Sequence, residues 1–229
     1  MKTTFVSAFV VSALLVSAPQ TALAQEAPPP AHDPSVVDHV FEGAFRIGAM
    51  LPGEMSPVNW FHSQVSTAPA FVLDTAWVAH PYFEVGAYGV IAPLSVERTS
   101  GSEVIGRGNG ALVSGGVAAK GRYAFSEHVL ARGGLTLARN YVGYSGKMET
   151  SRGGDDFSLS GGGWSVGAVA DFVWRASSKL GASAQLGFLS QVGGSADVKG
   201  PPTSATGGGH RDFGFSPIVY LTVGPELFL

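Results

Sequence analysis

Trp164-Ser165-Val166-Gly167-Ala168-Val169-Ala170-Asp171-Phe172-Val173-Trp174-Arg175 alternates with period two from end to end. Trp164, Val166, Ala168, Ala170, Phe172 and Trp174 share one face, and Ser165, Gly167, Val169, Asp171, Val173 and Arg175 share the other. A side-chain period of two is a β-strand. The first face is aromatic at both ends and small and apolar between, while the second carries the charge. Phe41 to Leu51 repeats the scheme: Phe41, Gly43, Phe45, Ile47, Ala49 and Leu51 alternate with Glu42, Ala44, Arg46, Gly48 and Met50. The pattern recurs at about 70–79, 82–92, 111–124, 129–140, 180–191 and 212–229, giving eight strands.

The connections alternate in length. His80-Pro81, 125–128 and 176–179 are short, whereas 52–69, 93–110, 141–163 and 192–211 are long and rich in Gly, Ser, Thr, Pro and charge. Hairpins with short turns at one end and long loops at the other are expected. A soluble β-sandwich also has about this many alternating strands, but it keeps charge on its outer face. Here the apolar faces of all eight segments hold one charged residue, Arg139, at a loop end. The opposite faces hold Glu42, Arg46, Asp74, Glu84, Lys120, Arg122, Arg132, Asp171, Arg175, Asp212 and Glu226. Charges inside and a continuous apolar belt outside would aggregate in water. In lipid the conflict disappears, because a charge on the lipid face costs about 2–4 kcal/mol near the midplane. Aromatic residues gather at the strand ends: Trp77, Phe83, Tyr123 and Trp174 near the short turns, and Phe71, Tyr141, Trp164, Phe213 and Phe215 near the long loops. These form two interfacial girdles. An open sheet cannot cross lipid with unpaired edges. The expected fold is therefore all-β, a closed antiparallel eight-stranded transmembrane up-and-down barrel whose first strand pairs with its last.

Composition narrows the function. The 229 residues include 32 Gly and no Cys, with 14% charged residues and a formal charge of −3. Absence of Cys excludes disulfides, zinc-thiolate sites, iron–sulfur clusters and a thiol nucleophile. The charge gives no electrostatic basis for binding nucleic acid. Lys2, the apolar run Phe5 to Val16 and the small-residue site Ala22-Leu23-Ala24 read as a cleavable signal peptide over 1–24. Residues 25–39, with Pro28-Pro29-Pro30 and Pro34, read as a flexible tail, and 40–229 as the barrel.

On these features the chain resembles the small eight-stranded bacterial outer-membrane barrels of the OmpX/Ail-like, opacity-like and OmpA transmembrane-domain type. The last strand, 217–229, resembles the C-terminal assembly signal of that class. Outward positions 219, 221, 223, 227 and 229 are apolar, although the chain ends in Leu229 with Phe228 beside it, and Pro225 interrupts the outward series. The resemblance implies a bacterial outer-membrane location, outer-membrane lipids as surroundings, the barrel-assembly machinery as a partner through the last strand, and a monomer.

An eight-stranded barrel is just wide enough for side chains to fill it. The inward charges therefore read as a packed, mutually neutralising network, with Arg132 beside Asp171, or alternatively as a polar channel. His62-Ser63 and His210-Arg211-Asp212 superficially suggest hydrolysis, but adjacent His and Ser tend to point apart and do not make a triad. The six histidines, 32, 39, 62, 80, 128 and 210, lack metal spacing. Gly106 to Gly110 reads as a flexible loop, lacking the Lys-Ser/Thr of a phosphate loop. Asp155-Asp156 reads as solvated loop, with a divalent-cation or lipopolysaccharide contact as the alternative. No catalytic residues, metal or cofactor are expected. The leading expectation is a non-enzymatic structural or surface-interaction protein acting through four long external loops, with Trp60 and Phe61 as contact candidates and the ligand unspecified. The alternative is a small conduit for apolar or small polar solutes, with an opening where Pro217 weakens the ladder. A lipid-modifying enzyme comes last.

Overall fold

The computed structural model describes residues 40–51, 53–56, 62–100, 103–150, 153–199, 209–212, 214–215 and 217–229. The proposed signal peptide and tail, Trp60, Phe61 and Phe213 lie outside them. The described residues form β1 (Phe41–Met50), β2 (Gly53–Ser56), β3 (His62–Val65), β4 (Ala68–His80), β5 (Phe83–Ser100), β6 (Glu103–Ala124), β7 (Val129–Thr150), β8 (Gly153–Arg175), β9 (Leu180–Lys199), β10 (Gly209–Asp212), β11 (Gly214–Phe215) and β12 (Ile218–Phe228).

Eight of these close a ring. Antiparallel ladders run β1–β4–β5–β6–β7–β8–β9–β12, and β12 returns to β1 through Glu42↔Phe228 to Met50↔Tyr220. Closure leaves no edge to satisfy in lipid. Alternation holds around the wall: Leu135 is 72% exposed, while its neighbour Thr136 is 4% exposed. Phe45, Ile47, Leu73, Ile91, Val117, Leu135, Val166, Phe172, Leu186 and Leu221 are all exposed on the wall strands, a surface compatible with lipid rather than water. Unboiled protein is therefore expected to migrate differently from boiled protein on a denaturing gel. Identical mobility of a verified folded sample would contradict closure.

The short turns are tight. Phe125 N donates to Val129 O at 2.9 Å, and Ala176 N to Leu180 O at 2.9 Å. Ser126 Oγ accepts from His128 N, and Ser177 Oγ accepts from Leu180 N. At the other end the strands overrun the expected boundaries. The expected connections 93–110 and 141–163 are mostly ladder: β5 and β6 pair up to Ser100↔Glu103, and β7 and β8 pair from Val129↔Trp174 to Thr150↔Gly153 without a slip. The expected loop Gly106–Gly110 is strand, paired from Gly106↔Met148 to Gly110↔Tyr144. Its composition is poor for a strand, but partners on both sides supply the backbone hydrogen bonds, and pairing outweighs propensity. The connection 52–69 contains β2 and β3, and β10 pairs β9.

Two facing assignments change. Phe215, expected in the outer girdle, is buried at 8% exposure, because β11 pairs with β2 above the barrel and turns this ring into the apolar core. Asp212, expected inside, is exposed on β10. Both lie beyond the point where the β12 ladder with β9 ends, at Ile218↔Leu189, so the alternation of the last strand does not carry through to them.

Glycine abundance has a local cause in this narrow wall. At Gly134 a Cβ would collide with the Ala119 carbonyl of β6, and at Gly86 with the Thr75 carbonyl of β4. Close approach of the neighbouring strand's backbone excludes any side chain at these positions.

Candidate functional site

The candidate site is the lumen, and it has two halves. Near the short turns lie Glu42 and Arg46 of β1, Asp74 of β4, Glu84 of β5, Lys120 and Arg122 of β6, Arg132 of β7, Asp171 and Arg175 of β8, and Glu226 of β12. Nine of them are at most 6% exposed, and Arg175 is half-buried. Each points inward because it occupies the inward parity of its strand.

These ten side chains form one ion-pair network. Arg132 Nη1 lies 2.6 Å from Glu42 Oε2 and 2.5 Å from Glu226 Oε1, and Nη2 lies 3.0 Å from Glu226 Oε2. Its Nε lies 3.3 Å from Asp171 Oδ2. Lys120 Nζ donates to Asp74 Oδ2 at 2.5 Å and to Asp171 Oδ2 at 3.0 Å. Arg122 bridges Glu42 at 2.6 Å and Glu84 at 2.8 Å. Arg46 reaches Asp74 and Glu226 at 3.3 Å each, and its Nε donates to Ser183 Oγ at 2.7 Å. Gln185 Nε2 donates to Asp74, and the Arg175 guanidinium lies over the Phe228 ring at 4.8 Å. Ser183 and Gln185 are on β9, so all eight wall strands contribute.

The formal charges cancel, five carboxylates against five cations. Neutrality and multiple pairing are what buried charges require, since one stripped of its partner is strongly destabilising. The arrangement fills the turn end of the lumen with paired side chains, nine of them almost wholly buried. It also differs in detail from the expected Arg132–Asp171 pair. Those two face each other across β7 and β8, but the shortest contacts of Arg132 run across the lumen to Glu226 and Glu42. Ser183 and Gln185 escaped the sequence reading because it tracked charge; their inward parity in β9 was the available signal.

Above the network sits a belt of buried uncharged polar side chains, among them Tyr88, Ser114, Thr136, Ser165 and Thr222. The loop half above that is apolar. Met50, Val72, Val90, Leu94, Leu112, Val142, Leu189 and Ile218 belong to one buried cluster that continues past the barrel to Val96, Tyr144, Phe157 and Leu159. The rings of Tyr144 and Phe157 meet edge-on at 6.0 Å. Gly187 makes room for Tyr220, whose ring occupies the place a Cβ would take.

The wall beside this apolar half has a gap in its ladder. The β4–β5 register runs up to Phe71↔Ile91 and resumes on β3 at Val65↔Val96, one residue out of step. Between these points no ladder pair joins residues 67–70 to residues 92–94, and Pro69 and Pro93, both exposed, face one another across the seam. Neither proline has an N–H to give. The seam expected at Pro217 is different: there Gln191 Oε1 accepts from Phe215 N at 3.2 Å and bridges it.

The remaining sequence candidates form no second site among the described residues. The seven described girdle aromatics, Phe71, Trp77, Phe83, Tyr123, Tyr141, Trp164 and Trp174, are exposed on the outer wall. Ser63 pairs in the backbone with Arg98 of β5, and His210 pairs with Asp197 of β9. Asp156 is exposed opposite Lys147. Among the described residues no group of three His, Cys, Asp or Glu side chains could hold a metal.

Comparison with solved structures places the architecture. The chain is similar to the outer membrane protein OprG from Pseudomonas aeruginosa, with a TM-score of 0.57, 10% identity, and coverage of 83% of this chain and 97% of that one. It is similar to a major outer membrane protein from Thermus thermophilus, with a TM-score of 0.52, 9% identity, and coverage of 82% and 99%. It is also similar to the outer membrane protein AlkL, with a TM-score of 0.51, 10% identity, and coverage of 93% and 97%. No protein-family profile and no curated protein sequence matches the chain. The fold is that of the small outer-membrane β-barrels.

Proposed function

We propose that this outer-membrane barrel is a lateral conduit for apolar solutes, entered from the loop end and left sideways through the β4–β5 seam. The observation that carries this reading is the unpaired seam at Pro69 and Pro93, set beside an apolar lumen whose axis is closed below by the ion-pair network. An apolar solute gains nothing from crossing buried charge, and ions meet a sealed, neutral plug. The small residues Ala68, Ala70 and Ala92, buried at the seam, leave the least side chain to displace there.

The test uses proteoliposomes whose outer leaflet carries lipopolysaccharide, a barrier to apolar dyes. The wild-type chain should speed uptake of an apolar fluorescent dye while giving no steady ion conductance in a planar bilayer. Pro69→Val with Pro93→Val restores two donors, lets the ladder zip, and should bring uptake down to the protein-free rate. Unchanged uptake in that variant, or steady wild-type conductance, defeats the proposal.

A second reading, a surface-interaction role, has its own support. The strands run on past the outer girdle as paired hairpins with a polar outer face, including exposed Ser145 and Lys147 and an Arg107–Glu97 ion pair at 3.3 Å. It is the reading left standing if dye uptake is absent. In either case the surroundings are outer-membrane lipid, and the partner in biogenesis is the barrel-assembly machinery, met through β12, with residues 1–24 as the export signal and a monomer as the working unit.

A further inference from the structure

Arg139 breaks the rule that the outer wall obeys. It is exposed on the lipid face of β7, and no ion pair or hydrogen bond holds its side chain among the described residues. Its outward neighbours are Leu137 and Tyr141 on its own strand, Val113 and Gly115 on β6, and Trp164 on β8. None is a carboxylate. From Val129, beside girdle Trp174, to Arg139 is ten residues. At about 3.4 Å each and a tilt near 40° this is roughly 26 Å of height, the thickness of the apolar band. Arg139 therefore sits at the loop-end interface, where lipid phosphates lie.

Directly below it the wall is hollowed. One row across the strands runs Val85, Ala119, Leu135, Ala168, Phe188, alternating large and small. Together with Val117, Leu137 and Val166 in the next row, it lines an external apolar groove of about 690 Å³. An apolar groove alone selects nothing in a bilayer, because lipid tails are as apolar as leucine. A cation two residues above Leu137, at headgroup height, supplies the selectivity.

We propose that Arg139 and this groove form a binding site for a phosphorylated glycolipid of the lipid A type in the external leaflet, the guanidinium taking a sugar phosphate and the groove one acyl chain. Arginine suits this role because its planar donors match phosphate oxygens. The site lies on the outside of the wall and stands whether or not solutes cross it.

The test is native mass spectrometry of the refolded full chain in zwitterionic detergent, with lipid A, phosphatidylglycerol or phosphatidylcholine added at equal concentrations. The wild-type chain should retain lipid A at about tenfold lower concentration than either phospholipid, and Arg139→Gln should lose about that factor. Arg139→Lys should keep part of it. Ala168→Trp, which fills the groove and leaves the charge, should also weaken retention. The heat-dependent gel shift checks that each variant is folded, and Arg139→Gln removes a charge from the lipid face, so it should fold. Equal retention of lipid A by wild type and Arg139→Gln overturns the site. Wild type that holds phosphatidylglycerol as well as lipid A overturns the assigned occupant.

Discussion

Replacing Arg132 with Met is expected to cost about 3–5 kcal/mol in reversible urea unfolding from lipid vesicles, followed by tryptophan fluorescence. The side chain is buried and contacts Glu42, Glu226 and Asp171. Removing it leaves five carboxylates facing four cations in a space without bulk water. The losses are unequal. Asp171 keeps Lys120 at 3.0 Å, and Glu42 keeps Arg122 at 2.6 Å. Among the described residues, Glu226 keeps only a 3.3 Å ion pair with Arg46. The double variant Arg132→Met with Glu226→Met should therefore recover more than Arg132→Met with Asp171→Asn, by a coupling of at least about 1 kcal/mol. Purely additive losses for Arg132 and Glu226 would show that the network does not act as a unit.

Placing arginine at Ala168 is expected to cost about 2–4 kcal/mol by the same measurement. Ala168 faces lipid between Leu135 and Phe188, six residues from Trp174 and four from Trp164, the strand's two girdle rings. A guanidinium there has neither water nor a partner within reach. Ser145→Arg serves as control: Ser145 is exposed on the part of β7 beyond the outer girdle, where an added charge should change stability by less than about 0.5 kcal/mol. Equal costs would mean that inside and outside have been exchanged or that no lipid belt exists.

Much of the site is legible in the amino-acid sequence. Strand parity alone places Glu42, Arg46, Asp74, Glu84, Lys120, Arg122, Arg132, Asp171, Arg175 and Glu226 on the faces that turn out to point into the lumen. Parity fails at Asp212 and Phe215, where the chain leaves the β12 ladder and the alternation loses its reference. It is silent about Pro69 and Pro93, since a missing donor matters most if the facing residue is also proline, and facing is a matter of register.

The amino-acid sequence by itself determined the eight wall strands, their facing within the closed ladder, an outer belt with Arg139 as its one charge among the described residues, and the pairing of first strand with last. These follow from a period of two within each strand and from the cost of an open edge in lipid, both of which can be read along the chain. Tertiary structure alone decided how far the hairpins run above the girdle, which acid Arg132 holds, where the wall is unpaired and where it is hollow. Those depend on the stagger between strands. Stagger sets which residues from distant parts of the chain meet at one height, and no local pattern encodes it.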